Sequence, residues 1–224
     1  IFSKTCLKRA IVTNLVDLLP FWKRAIGDLF SKIPRGRVKR YRHIYYFKEL
    51  LQGSAKLPDV QIDPQRDLLY ILYTGGTTGF PKGVPGNHSG MVSYINDIME
   101  DVLQGHIDEG NDRYIGISPL FHIMGLAFFI AAGLNFGNTT ILMPVPQIDA
   151  ILQAIQRYRV RWLLGVPALY RMILENERLE RYDLSSMAYC YCGGDALPPE
   201  VYNRWKQNFG IPIYQAYGST EAGH

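Results

Sequence analysis

The sequence predicts an α/β fold, a mostly parallel sheet flanked by helices, and three observations carry that prediction. Beyond Leu68 short apolar runs alternate with helical stretches, the order that strand–helix–strand units produce. The loops richest in reactive or phosphate-binding side chains each follow one of those runs, and in an open α/β sheet ligands bind outside the carboxyl ends of the strands. A chain of 224 residues, 47% of them hydrophobic, is long enough to bury a core.

Taken in order, residues 1–52 form a basic amphipathic segment, 53–66 a linker, and 67–224 the α/β part. The first 48 residues hold twelve Lys and Arg against Asp17 and Asp28, net plus ten, while the rest holds twelve against eighteen acids, net minus six. Within 15–33, Leu15, Val16, Leu18, Leu19, Phe21, Trp22, Ile26, Leu29, Phe30 and Ile33 interleave with Lys23, Arg24 and Lys32. That pattern suits either a helix packed on protein or one lying on an anionic membrane. Pro20 starts or interrupts it.

Strands are expected at Leu68–Tyr73, Tyr114–Ile117, Thr140–Met143, Trp162–Leu164, Ala188–Cys190 and Ile213–Ala216, the first as a buried strand. Helices are expected at Gly90–Leu103, capped by Ser89, and at Met124–Leu134, Asp149–Tyr158, Ala168–Asn176 and Pro199–Asn208. Gly110–Asp112 and Pro144–Pro146 read as loops.

Composition narrows the class further. Three cysteines, Cys6, Cys190 and Cys192, point to a reducing compartment rather than a disulfide framework. Cys190 and Cys192 alternate along one run and so share a strand face; no second Cys or His pair stands at zinc spacing. There is no secretory leader pattern. The longest apolar stretch, Ile123–Phe136, is shorter than the roughly 20 residues that cross a bilayer. A cytoplasmic protein, with peripheral membrane contact through 15–33 left open, is the expectation. No nucleic-acid-binding module is present.

The stretch Tyr73-Thr74-Gly75-Gly76-Thr77-Thr78-Gly79-Phe80-Pro81-Lys82-Gly83 carries phosphate chemistry. Glycines let backbone N–H groups approach an anion, threonine hydroxyls donate further hydrogen bonds, and Lys82 adds a point charge. It is not the ordinary phosphate loop, because Lys82 is followed by Gly83 rather than Ser or Thr. Downstream stand Pro119-Leu120-Phe121-His122-Ile123-Met124-Gly125, the turn Gly193-Gly194-Asp195-Ala196-Leu197, and Tyr217-Gly218-Ser219-Thr220-Glu221.

Together these segments resemble the acyl-adenylate-forming superfamily, which includes acyl-CoA synthetases, luciferases and peptide-synthetase adenylation domains; the likeness is greatest to medium- and long-chain fatty-acyl-CoA synthetases. The first segment fits that family's Y-T-[SG]-G-[ST]-T-G-x-P-K-G pattern at every position. The last is similar to its Y-G-x-T-E motif, and the second to the P-L-F-H-x-x-G stretch of acyl- and aryl-CoA ligases. Asp195 departs from the usual alanine of the G-G-A-x-L turn.

The resemblance implies the central part of a large N-terminal domain. It also implies a longer enzyme whose ribose-binding Asp, hinge and C-terminal lysine domain lie outside these residues, so that the 224 residues alone would turn over poorly. It further implies ATP, Mg2+ and coenzyme A as reactants, and a medium- or long-chain fatty acid as substrate. Thr74, Gly75, Gly76, Thr77, Thr78, Gly79 and Lys82 would hold the β- and γ-phosphates, Thr220 the α-phosphate and Glu221 the Mg2+. Gly194, Asp195, Ala196, Tyr217 and Gly218 would line the nucleotide, with Tyr217 near the base or the acyl pocket, and His122 would sit at the reacting carboxylate. Phe121, Phe128, Phe129 and Val166 favour an apolar acyl group. An aryl-acid CoA ligase, an amino-acid adenylation domain and a non-catalytic nucleotide-binding or membrane-associating module remain open, as does a homo-oligomer.

Overall fold

The chain divides into two units, Ile1–Gln61 and Ile62–His224. The computed structural model describes all residues except 1–3, 15, 16, 18, 30–37, 39, 54, 55, 57, 76–78, 98–105, 144, 145, 223 and 224. In the first unit, β1 (Ala10–Val12) pairs in parallel with β2 (Ile44–Tyr46). Between them lies α1 (Phe21–Leu29), which starts directly after Pro20, and α2 (Phe47–Leu50) follows β2. The remaining residues of the 15–33 segment that lie outside the described set are 15, 16, 18 and 30–33.

The second unit opens with an antiparallel hairpin, β3 (Leu68–Thr74) and β4 (Lys82–Asn87), registered from Leu68 opposite Asn87 to Thr74 opposite Lys82. This corrects two expectations. The strand that feeds the phosphate loop belongs to its own two-stranded sheet rather than to the parallel one. It is also not a buried strand, since Leu72 alone in it is buried, while Leu68, Ile71 and Tyr73 are exposed. Lys82 is the first residue of β4, a strand whose Gly- and Pro-containing sequence, KGVPGN, gives no strand signal. Pro85 is tolerated there because a two-stranded ribbon has only edges.

The helix α3 (His88–Asp97) follows at once. Its first turn is held by Asn87 Oδ1, which accepts from the Gly90 N–H at 2.8 Å. Asn87 therefore supplies the cap assigned to Ser89. The expected continuation of this helix to Leu103 lies outside the described residues.

Five parallel strands follow: β5 (Arg113–Gly116), β6 (Thr139–Leu142), β7 (Trp162–Gly165), β8 (Tyr189–Cys192) and β9 (Ile213–Gln215), in spatial order β6-β5-β7-β8-β9. The helices α4 (Ile123–Phe129), α5 (Ile148–Tyr158), α6 (Pro167–Leu174) and α7 (Pro199–Phe209) connect or follow them. The single expected helix at 124–134 is split: α4 passes into a π-helical stretch, Ile130–Asn135.

Alternation along the strands sorts side chains to the two faces. Ile115, Leu163, Cys190 and Cys192 point to one face and pack with Ile151 and Ile155 of α5, Tyr170 of α6 and Trp205 of α7. Cys190 and Cys192 thus share a face, as their spacing predicts. Tyr114, Trp162, Leu164 and Tyr191 form the other face, against Met124 and Phe128 of α4. There the rings stack across strands, Tyr114 on Trp162 at 5.2 Å and Trp162 on Tyr189 at 4.4 Å between centroids. Such contacts add to simple burial. A third cluster joins the hairpin to the helices: Leu72 with Met91 and Ile95 of α3 and Ile123 and Ala127 of α4.

At the amino ends of the strands sits a buried polar knot. Asp112, 1% exposed, accepts from the Trp162 Nε1–H at 2.8 Å and from the Arg161 guanidinium, while its own N–H donates to Asn138 Oδ1 at 3.2 Å. Asn138 Nδ2 in turn donates to the Tyr114 hydroxyl. This knot pins β5, β6 and β7 at the edge opposite the candidate site.

Candidate functional site

Four loops leave the carboxyl ends of β5, β7, β8 and β9 and meet there. After β5 the chain turns through Ser118–Phe121 and His122 caps α4. The His122 N–H donates to the Pro119 carbonyl at 3.0 Å, and its Nδ1 accepts from the Met124 N–H at 3.2 Å. With Nδ1 an acceptor, the neutral ring carries its proton on Nε2. Gly125 lets this turn lie on the helix: a Cβ there would stand 2.2 Å from the Pro119 carbonyl oxygen.

Strand β8 ends at Cys192, and the Gly193 N–H donates to the Gly165 carbonyl at the end of β7 at 3.0 Å. Gly194 follows at φ +82°, a left-handed turn that favours glycine. At the end of β9 the Ala216 N–H donates to the Cys192 carbonyl at 2.7 Å, and Gln215 Oε1 accepts from the Leu197 N–H at 3.3 Å. A Cβ at Gly193 would lie 3.3 Å from Met124 Sδ and 3.5 Å from the Ala216 carbonyl oxygen, and one at Gly194 3.6 Å from Val166 Cγ1. The His122 turn, the Gly193–Gly194 turn, Val166 and the residue before Tyr217 are therefore neighbours.

Most of the other sequence-predicted residues are among those the structure describes. Asp195 turns its carboxylate onto its own backbone, Oδ1 accepting from the Ala196 N–H at 2.7 Å, so the departure from alanine serves the turn. Tyr217 is 96% exposed. Gly218 leads into the 3-10 turn Thr220–Ala222, which displays the Glu221 carboxylate. In the hairpin, Thr74 is half-buried and faces Lys82 across the ladder, and Gly75 and Gly79 have open space around them. Gly76, Thr77 and Thr78 lie outside the described residues. Lys82 and Glu221 are exposed, and neither side chain has a hydrogen bond or ion pair within the protein among the described residues. A cation and a carboxylate so placed are available to a ligand.

The thiols and the phenol at the end of β8 are neutral. Burial, reinforced by the nearby Asp195 charge, pushes the Cys192 thiol up to about 11, and burial pushes Cys190 up to about 12. Tyr191 is raised to about 12 by burial and then by Tyr214 and Tyr189. These groups stay protonated and do no acid–base work at neutral pH. Among the described residues no cluster of three or more His, Cys, Asp or Glu could hold a metal. The lone Glu221 does fit Mg2+ that arrives on phosphates, since that ion keeps several waters and takes one or two carboxylates.

Sequence reasoning missed Gln215, which holds the Gly193–Leu197 turn from a neighbouring strand; an amide at a strand's last residue was its only signal.

A family model described as "AMP-binding enzyme" matches residues 20–224. The chain is 31% identical over 215 residues to a long-chain-fatty-acid–CoA ligase of Bacillus subtilis, covering 95% of this chain and 38% of that protein. It is 32% identical over 184 residues to 4-coumarate-CoA ligase 1 of Narcissus pseudonarcissus, covering 81% of this chain and 33% of the relative. Among solved structures, the anthranilate CoA ligase AuaEII in complex with anthranoyl-AMP superposes with a TM-score of 0.76 at 22% identity, over 97% of this chain and 42% of the other. That likeness concerns the fold. The chain spans less than half the length of each.

Proposed function

Because this chain belongs to the AMP-binding enzyme family, we propose that the enzyme built around it activates a carboxylic acid with ATP and passes the acyl group to coenzyme A. A carboxylate oxygen attacks the α-phosphorus of ATP, and pyrophosphate leaves. The thiolate sulfur of coenzyme A then attacks the acyl carbon and AMP leaves with the C–O bond pair. Activation is needed because a carboxylate is a poor electrophile and AMP a good leaving group.

The observation that carries this reading is the meeting of the loops after β5, β7, β8 and β9, where the Gly193 position lies against both Met124 and Ala216. It supports a nucleotide along Gly194, Asp195, Ala196 and Tyr217, with the acid's carboxylate beside the His122 Nε2–H. Lys82, Thr74 and the glycines and threonines of 75–79 take the β- and γ-phosphates, Thr220 the α-phosphate, and Glu221 the Mg2+ they carry. The chain's contribution is to position and neutralise rather than to react covalently.

The acid is a medium- or long-chain fatty acid. The match to the fatty-acid ligase, which runs over 95% of this chain, supports it, as do the apolar side chains of Phe121 and Val166 exposed beside the His122 and Gly194 turns. An aryl acid is the second reading, favoured by the 32% identity to a 4-coumarate ligase. Thioester formation by the intact enzyme with decanoate, palmitate and 4-coumarate separates them. The aliphatic acids are expected to lead in kcat/KM by about tenfold or more; a lead for 4-coumarate establishes the aryl reading instead.

A further inference from the structure

We propose that α1, which lies in a strongly basic stretch of the sequence, is a docking surface for an anionic lipid bilayer, an inference independent of the ligase chemistry. At 100° per residue, positions 21, 22, 25 and 26 of this helix fall in one arc, while Lys23 and Gly27 fall opposite. The arc is displayed: Phe21 is 85%, Trp22 55% and Ile26 51% exposed. None of the described residues of Ile1–Gln61 is buried, so among them there is no core to cover that face. An isolated nine-residue helix is marginal in water; its apolar arc needs a cover.

Charge and side-chain type identify the cover as lipid. Twelve Lys and Arg against two acids in the first 48 residues complement an anionic surface, whereas protein interfaces are depleted in lysine. Trp and Phe are the side chains that anchor at a headgroup boundary. The Lys23 ammonium lies 5.2 Å from the Trp22 ring centroid, which sets a cation at the rim of the apolar arc where headgroup phosphates would stand. No helix among the described residues is long and apolar enough to cross a membrane, so this is a surface contact.

The test uses the full chain with vesicles of phosphatidylcholine mixed with phosphatidylglycerol, and with phosphatidylcholine alone. The anionic vesicles should bind at least about tenfold more strongly, and raised salt should release the chain. Trp162 and Trp205 are fully buried, so a blue shift and loss of acrylamide quenching on binding report Trp22. A Phe21→Ser, Trp22→Ser, Ile26→Ser variant should lose about tenfold or more in binding. Its melting, followed by the buried tryptophans, should stay unchanged. Equal binding to both vesicle types, binding by the triple variant, or Trp22 shielded without lipid by self-association or by other parts of a longer polypeptide would each overturn the proposal.

Discussion

At position 125 the chain has room for a hydrogen and nothing larger. An added Cβ would lie 2.2 Å from the Pro119 carbonyl oxygen and 2.7 Å from that of Ser118, and both belong to the turn that delivers His122 to the head of α4. Backbone cannot swing aside as a flexible side chain can, so Gly125→Ala must shift the turn. Overpacking of this kind costs about 1–3 kcal/mol. The expected result is a melting temperature lower by roughly 2–12 °C, with weaker acid-dependent turnover in the intact enzyme. Gly75→Ala, at a position with nothing within 4 Å, is the control and should melt as the parent does. An unaltered melting curve for Gly125→Ala contradicts the packing described. The His122 motif was legible in the sequence; the reason for its glycine was not, because a backbone contact six residues back leaves no mark in residue type.

Among the elements, the parallel strands were legible to within a residue or two. The apolar runs of β5, β7 and β8 are buried in the middle of the sheet, so pattern and environment agree. The β3–β4 hairpin was not. Residues 82–87 combine two glycines, a proline and polar ends, and they pair only because Leu68–Thr74 lies alongside; the glycines and proline that signal a loop also suit an edge strand. The Asp112 knot was equally hidden, since its partners Asn138, Arg161 and Trp162 are 26, 49 and 50 residues away. Asp112→Ala leaves the Trp162 N–H and a partly buried guanidinium without their acceptor. A loss of about 2–4 kcal/mol follows, seen as a melting temperature lower by roughly 4–16 °C. Because the knot lies at the amino ends of the strands, ATP-dependent activity measured well below that melting point should be retained; a stability unchanged from the parent would show that the knot does not hold the strands together.

For the whole molecule, the buried thiols and phenols set an alkaline limit. Burial raises Cys190 from 9.0 to about 12, Cys192 from 9.0 to about 11 and Tyr191 from 10.0 to about 12. Above about pH 9 the unfolded chain releases these protons while the folded chain still holds them, so unfolding gains. Stability from urea titration should be flat up to about pH 9 and fall steadily from there toward pH 12; a rise over that interval would contradict the burial of these groups. If, as proposed, the hairpin loop and the parallel-sheet edge together form an adenylating site, the intact enzyme exchanges labelled pyrophosphate into ATP only when an acid is present. Exchange should appear with decanoate or palmitate and Mg2+. Lys82→Ala should lower it about ten- to a hundredfold, the equivalent of a charged hydrogen bond of roughly 1.5–3 kcal/mol, with acid binding little changed. No exchange with any acid, or exchange in Lys82→Ala equal to the parent's, would contradict it.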